Sequence, residues 1–242
     1  MMSESVVRES SSAPVAVPAT HVGADWLLVV AILAVIGTAV RAIYFTPIDA
    51  LQGAAQKIFY VHAPSAFVAL YMAFALVALM SVLFLWLKDL RFDRVAESSA
   101  EVGVVFTTVV LTTGPIWGKA AWGTWWTWDA RLTATLFLWF IYVGYLVLRG
   151  ALDDRMMRAR YCAVLGILGA LLIPFIHLSV YLFRTLHPMP IVFKPSAPSL
   201  SPEMLHTFLL ALGSFALLFV ALLRIRYRLA VARDELAAQE ER

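Results

Sequence analysis

The sequence predicts an all-α, polytopic membrane protein, built as a bundle of six transmembrane helices with both termini in the cytoplasm. Hydrophobic residues make up 62% of its 242 residues and charged residues only 14%, whereas a soluble domain has about 45–50% apolar and about 25% charged residues. The apolar residues form long runs that suit helices of about 20 residues, unlike the short alternating segments of an outer-membrane barrel. The net charge of +3 is too small to indicate a nucleic-acid-binding protein.

Six runs are long and apolar enough to cross a bilayer. The predicted spans are residues 26–45, 62–87, 99–116, 132–149, 161–182 and 204–223. The second span follows a polar-aromatic stretch at 56–60 and has Pro64 in its first turn, where proline is tolerated. The third span is the most polar, because it contains Glu101, four threonines and the pair Gly114 and Pro115.

The spans divide the chain into a membrane domain and two tails. Residues 1–22 are rich in Ser, Ala, Val and Pro, which predicts a disordered cytoplasmic tail. The first long apolar run begins only at Trp26, and no small-x-small site follows it, so the tail does not resemble a cleavable signal. Residues 23–223 form the predicted six-span domain. Residues 224–242 form a charged cytoplasmic tail, interpreted as an exposed helix with charges of both signs.

The basic residues predict how the bundle is oriented. Thirteen of the 19 lysines and arginines fall on one side, at Arg8, Lys88, Arg91, Arg94, Arg149, Arg155, Arg158, Arg160, Arg224, Arg226, Arg228, Arg233 and Arg242. The positive-inside rule assigns this side to the cytoplasm. Three loops then lie outside, at about 46–61, 117–131 and 183–203.

The second external loop is unusually rich in tryptophan. Residues 117–131 read WGKAAWGTWWTWDAR and contain five of the eight tryptophans, namely Trp117, Trp122, Trp125, Trp126 and Trp128. An aromatic belt at the headgroups explains any one of them, but a belt distributes its aromatics over all the span ends. The last four fit a short helical turn along the surface, with Gly118 and Gly123 letting the backbone bend. Such a strip offers an apolar platform, rimmed by N–H donors, to a large planar ligand.

Two of the five histidines flank this loop. The histidines are His21, His62, His177, His187 and His206. The predicted topology puts His62 and His187 at the external surface, on separate segments, as a bis-histidine haem iron requires. The alternative for each is a polar side chain resting at a span end.

The remaining histidines give weaker candidates. His177 lies within the fifth span, where an ionisable group indicates function, or where a neutral imidazole bonds a neighbouring helix. His206, near the external start of the sixth span, is a candidate to contact a metal-binding histidine without binding the metal itself. The single cysteine, Cys162, belongs to no Cys-x-x-Cys-His sequence, so haem is not attached covalently in the c-type manner.

The string WGTWWTWDARLT at 122–133, the flanking IFYVHAPSA at 58–66 and the six spans resemble the cytochrome c-maturation protein C family (haem exporter protein C, CcmC) of WWD-type haem-handling proteins. The resemblance covers residues 26–223. It implies non-covalent haem b, with His62 and His187 at the axial positions, on the periplasmic face of a bacterial inner membrane. It further implies transfer of haem to a periplasmic chaperone (CcmE type), and assembly with ABC transporter subunits (CcmA/CcmB type) and a small single-span subunit (CcmD type).

External basic residues are candidates for pairing with the two propionates of haem, because charge-assisted hydrogen bonds are the stronger ones. Arg131 and Arg184 are the first candidates, followed by Lys57 and Lys119. Arg131 can instead pair with Asp129, and Arg184 can be an ordinary interfacial side chain. Asp129 is expected to orient the strip by accepting N–H groups.

The sequence indicates a binding and presentation protein and not an enzyme. It has no G-x-x-x-x-G-K-[ST] loop, so any ATPase activity belongs to partner subunits, and it shows no nucleophile–base pair. The main alternative is a b-type cytochrome-like electron-transfer subunit, which would hold haem between helices, although only His177 lies within a span. A permease for a small solute is a third interpretation.

Overall fold

A computed structural model describes residues 25–240, so the tail predicted over residues 1–22 lies outside the described residues. Six helical segments are long and apolar enough to cross a membrane, which confirms the predicted all-α, six-span fold. They are Trp26–Phe45, Ala54–Leu87, Leu90–Trp122, Ala130–Ala151, Arg155–Leu182 and Pro202–Glu240. Over the described range the only strand-like pairing is one isolated bridge between Asp49 and Gly53.

The first two spans differ in regularity. Helix α1 (Trp26–Phe45) begins after Asp25, whose carboxylate accepts the N–H groups of Leu27 and Leu28 at 3.1 and 3.4 Å. The second span is a composite of a 3-10 turn (Ala54–Ile58), α2 (Phe59–Phe67), a π-helical stretch (Val68–Phe74) and α3 (Ala75–Leu87).

The prediction for the start of the second span was wrong. Because the span already begins at Ala54, Pro64 lies inside α2 and not in a first turn. Proline removes a backbone donor from the helix, and the wider π-helical turns begin four residues later. Such irregular turns are common beside functional sites.

Helix α4 (Leu90–Trp122) is the central element and is much longer than the predicted span 99–116. It packs against α2, α3, α5 and α8. Its first turns are polar but buried, since Asp93, Glu97, Ser98 and Ser99 are nearly inaccessible. Hydropathy does not detect a helix whose polar residues are buried by neighbouring helices.

The fourth and fifth spans match their predictions more closely, and the sixth begins close to where predicted but ends later. They are α5 (Ala130–Ala151), the pair α6 (Arg155–Ala170) and α7 (Leu172–Leu182), and α8 (Pro202–Glu240). The predicted C-terminal helix is therefore continuous with the sixth span. It is not simply exposed, because Arg226 pairs with Glu101 at 2.5 Å and Arg233 pairs with Glu97 at 2.8 Å.

The core lies between α3, α4, α5 and α6. Phe74 stacks on Tyr142 with ring centroids 3.8 Å apart, and the Tyr142 hydroxyl donates to the carbonyl of Gly166 at 2.9 Å. A Cβ atom on Gly103 would come within 2.5 Å of the Phe74 ring, so glycine is required there for α4 to approach this close. The packed core fixes the positions of the helix ends that carry the candidate site.

Candidate functional site

One cavity collects residues from four distant segments at the end of the bundle where the second, third and fourth spans meet the loop after α7. Its volume is about 190 Å³. It is lined by Gln52, His62, Val110, Leu111, Gly114, Pro115, Trp117, Gly118, Ala121, Trp122, Trp126, Arg131, Leu132, Thr135, Leu186, His187 and Pro188. The two histidines that the sequence singled out therefore face the same cavity, which we call the histidine cavity.

His62 is held in one tautomer by a hydroxyl on α4. Its Nδ1 lies 3.0 Å from Thr113 Oγ1, and that hydroxyl donates its own proton to the carbonyl of Val109 at 2.6 Å. Thr113 can then only accept, so Nδ1 of His62 donates, and in the neutral imidazole the lone pair is on Nε2. A Cβ atom on Gly114 would lie 3.2 Å from Cε1 of this imidazole, so glycine gives the ring its room.

His187 has the same tautomer for a different reason. Its Nδ1 donates to the carbonyl of Pro188 at 2.9 Å, and a carbonyl oxygen only accepts. Burial, together with the positive charge of Arg131, lowers the pKa of His187 to about 3, although the bond to Pro188 opposes the shift. The imidazole is therefore neutral at physiological pH, and its Nε2 carries a lone pair.

Each of the two imidazoles has the bond pattern of a metal-binding histidine. Across residues 25–240, no hydrogen bond engages Nε2 of His62 or His187. A metal-bound histidine usually donates its other N–H to an oxygen acceptor, and each ring already makes such a bond. The described residues contain no group of three or more His, Cys, Asp or Glu that could hold a metal ion, but a porphyrin supplies four ligands itself and needs only two from protein.

The walls of the cavity are aromatic. Trp117 meets His62 edge-on with ring centroids 5.8 Å apart, and Trp122 lies 6.5 Å from His187. Trp117 Nε1 donates to Gln52 Oε1 at 2.7 Å. By contrast, the buried Nε1 of Trp126 has no partner among the described residues. An indole N–H without a partner, set in an aromatic cavity wall, fits a large planar ligand with acceptor groups at its edge.

The tryptophan-rich loop is shorter than the predicted 117–131. Trp117 and Trp122 lie in the last turns of α4, which ends at Trp122 and is capped by Gly123 with a φ of 77°. Residues 124–129 are not helical, so the predicted helical turn through the last four tryptophans was wrong. Gly123 takes a left-handed conformation that would strain other residues, and it ends the helix before that turn can form.

Two of the five tryptophans do not line the cavity. Trp125 is 59% exposed and Trp128 is 75% exposed. Trp128 packs edge-on against Trp126, with ring centroids 5.7 Å apart. The indoles thus form two groups, with Trp117, Trp122 and Trp126 facing the histidines and the other two facing outwards.

Of the predicted charged residues, Arg131 alone faces the histidines. The described part of the chain has no ion pair within 4 Å that involves Arg131, and the Oδ1 of Asp129 accepts the N–H of Leu132 at 2.9 Å at the start of α5. Arg184 lines a separate shallow depression with Trp128 and Asp129. Lys57 donates to the carbonyl of Thr46 at 2.6 Å, and Lys119 donates to that of Gly123 at 2.9 Å. Their ammonium groups are thereby used locally.

The remaining described histidines lie outside the histidine cavity. His177 bonds Tyr71, with 2.7 Å between Nδ1 and the phenol oxygen. His206 is exposed, and its Nδ1 is 3.4 Å from Arg41. Neither side chain lines the cavity that His62 and His187 share.

Sequence reasoning missed Gln52, Thr113 and the packing role of Gly114. The four threonines of the third span are the one sequence feature that includes Thr113, and they served only to explain why that span is the most polar. Nothing in the local sequence marks Gln52, which bonds a tryptophan 65 residues away.

Comparison with known proteins gives an independent finding. A family model described as heme exporter protein C matches residues 7–242. The chain is 38% identical over 194 residues to "Heme exporter protein C" of Haemophilus influenzae, covering 79% of this chain and 77% of that protein. It is 36% identical over 197 residues to the protein of the same name from Bradyrhizobium diazoefficiens, covering 81% and 72%. The corresponding protein of Rhodobacter capsulatus is 30% identical over 218 residues, 90% of each chain.

Proposed function

The chain belongs to the heme exporter protein C family, and from that premise we propose that it binds haem in the histidine cavity and presents it for cytochrome c biogenesis. Haem is its cargo, held non-covalently as haem b. The observation that carries the proposal is that two imidazoles, His62 and His187, line one cavity and that no described residue bonds the Nε2 of either. Axial histidine nitrogens are the usual protein ligands of haem iron.

The surrounding residues have complementary roles in this proposal. Trp117, Trp122 and Trp126 contact the ring faces and edge, where flat aromatic surfaces bury a large apolar area. Arg131 pairs with a propionate, since it is the one charged residue in the lining of the histidine cavity. Asp129 has a structural role as the N-cap of α5. Arg184 lines the neighbouring depression and not the histidine cavity, so the proposal assigns it no propionate.

The proposed position in the cell is supported by the charge distribution. The chain is a multi-pass membrane protein, and the side with fewer lysines and arginines, which carries the histidine cavity, is proposed to face the periplasm across a bacterial inner membrane. Both termini are then cytoplasmic. The exposed indoles of Trp125 and Trp128 are available there to a haem chaperone of the CcmE type, while CcmA/CcmB-type and CcmD-type subunits complete the export complex.

No step requires this chain to be an enzyme. Its residues bind and orient haem, and transfer to a chaperone is promoted by positioning, with ATP hydrolysis left to partner subunits. An electron-transfer subunit would need two histidines inside the bundle. In the described residues the imidazole of His177 meets the rings of Tyr71 and Tyr181 and no second imidazole, which favours the haem-presentation proposal.

Haem spectroscopy of the purified protein tests the proposal. We expect a six-coordinate low-spin spectrum in the parent protein, a shifted spectrum in His62→Gly or His187→Gly, and no bound haem in the double variant. Added imidazole should restore the six-coordinate spectrum of each single variant, because it refills the vacated coordination position, and a purely structural role would not respond to it.

His206→Gly is the matched control, since that histidine is exposed and outside the cavity, and its spectrum should equal that of the parent. An unaltered haem spectrum in the His62→Gly/His187→Gly double variant would refute the proposal.

A further inference from the structure

A second cavity lies directly beside the histidine cavity. Its volume is about 280 Å³, and the two cavities share Arg131 and Pro188. The lining of the second cavity is Phe59, Ala63, Ala66, Phe67, Leu70, Tyr71, Arg131, His177, Pro188, Met189, Pro190, Ile191, Val192, Phe193 and Phe208. Apart from Arg131, the only titratable groups in this apolar lining are Tyr71 and His177.

Tyr71 and His177 form a hydrogen-bonded pair, with 2.7 Å between the phenol oxygen and Nδ1. If the phenol donates, the imidazole proton is on Nε2. If Nδ1 donates, the phenol proton is free. In both arrangements the pair has one N–H or O–H left for a third group, and no other described residue bonds either side chain.

The polar groups of the second cavity therefore favour an acceptor with negative charge. Neither cavity has an aspartate or glutamate in its lining. The guanidinium of Arg131 has five N–H donors and faces both spaces. Donors and one positive charge in an apolar lining fit a carboxylate attached to an apolar body, because charge-assisted hydrogen bonds are stronger than neutral ones.

We propose that the Tyr71–His177 pair, together with Arg131, binds one propionate of the haem whose iron His62 and His187 hold. The inference rests on the proposed function. In this inference His177 contacts a propionate of the haem and not its iron. The propionate edge of the haem then extends into the second cavity.

Two ligands and two variants separate this role from a structural one. The affinities of iron protoporphyrin IX and of its dimethyl ester, which lacks both carboxylates, are measured for the parent protein, Tyr71→Phe and His177→Leu. For the diacid we expect each variant to bind about tenfold or more weakly, since a hydrogen bond to a charged group is lost. For the diester we expect equal affinities, and the iron should keep its bis-imidazole spectrum throughout.

Tyr161→Phe is the matched control, because it removes a phenol that lines neither cavity, and both affinities should stay at the parent value. Equal losses for diacid and diester, no loss for either, or a changed iron coordination in His177→Leu would overturn this inference and leave the proposed function intact. Failure of the parent protein to bind haem at all would instead overturn the proposed function and this inference with it.

Discussion

At the scale of single residues, Thr113 determines which nitrogen of His62 carries the proton. The hydroxyl proton of Thr113 is bonded to the carbonyl of Val109, so its oxygen accepts from His62 Nδ1 and leaves Nε2 for the iron that the proposal places there. Partners of this kind orient a metal-binding imidazole and raise its basicity. Thr113, which lies on a different helix from His62, is thus part of the proposed site although it acts on the haem only through His62.

Removing that acceptor should weaken haem binding. Thr113→Val keeps the shape of the side chain but removes the oxygen, and we expect affinity for haem to fall about 10- to 100-fold, as for other residues that orient metal ligands. A spectrophotometric haem titration of the purified protein measures the change.

Thr113→Ser is the control, because its hydroxyl can make both bonds, and it should bind haem like the parent protein. If Thr113→Val and Thr113→Ser bound haem with the same affinity, Thr113 would have no part in setting the tautomer of His62.

At the scale of elements, the start of α5 links the tryptophan-rich loop to Arg131. Asp129 accepts the N–H of Leu132 at 2.9 Å and lies 3.4 Å from the hydroxyl of Thr127. Because the cap fixes where α5 begins, it also fixes where Arg131 enters the histidine cavity. The acid that ends the WWD string is therefore explained by helix capping.

Capping and charge can be separated at this position. Asp129→Ala should lower the free energy of unfolding by about 1 kcal/mol, the usual effect of losing an N-cap, and should weaken haem binding by displacing Arg131. Asp129→Asn removes the charge but keeps a good cap, so its stability and haem affinity should match those of the parent protein. Unfolding in detergent and haem titration measure both, and a loss in Asp129→Asn as large as that in Asp129→Ala would contradict the capping role.

At the scale of the whole molecule, a buried charge network joins α4, α5 and α8 at the end of the bundle remote from the histidine cavity. Arg149 makes a bidentate pair with Asp93 at 2.8 and 2.7 Å and contacts Glu97 at 3.0 Å. Arg233 pairs with Glu97 at 2.8 Å. The side chains of Arg149 and Asp93 are each only 6% exposed, so each charge depends on its partner for compensation.

Breaking this network should destabilise the entire bundle. Arg149→Met leaves Asp93 buried without a cation, and removing one partner of a buried ion pair costs about 3–5 kcal/mol. We expect a correspondingly lower free energy of unfolding in detergent. Arg91→Ala is the control, since Arg91 is 73% exposed in its pair with Asp89 and its loss should not measurably change stability. Equal stability of the two variants would contradict a supporting role for the network.

The sequence alone determined the number of spans and the candidates for the site. Span count depends on the length of apolar runs, which is a local property that packing does not alter. The choice of His62, His187 and the tryptophans depended on residue type and on their common external side. The structure brings both histidines and three of the tryptophans to one cavity, while their role in binding haem stays a prediction.

Only the tertiary structure decided where helices end and which polar groups meet. The early turns of α4 were missed because their charges are buried against residues 56 and 136 positions away, and no local pattern contains that information. For the same reason Arg131 could not be distinguished from Arg184, nor Thr113 from the other threonines of its span. Hydropathy is summed along the chain, whereas the compensation of a buried charge or the choice of a tautomer depends on which distant segment packs beside it.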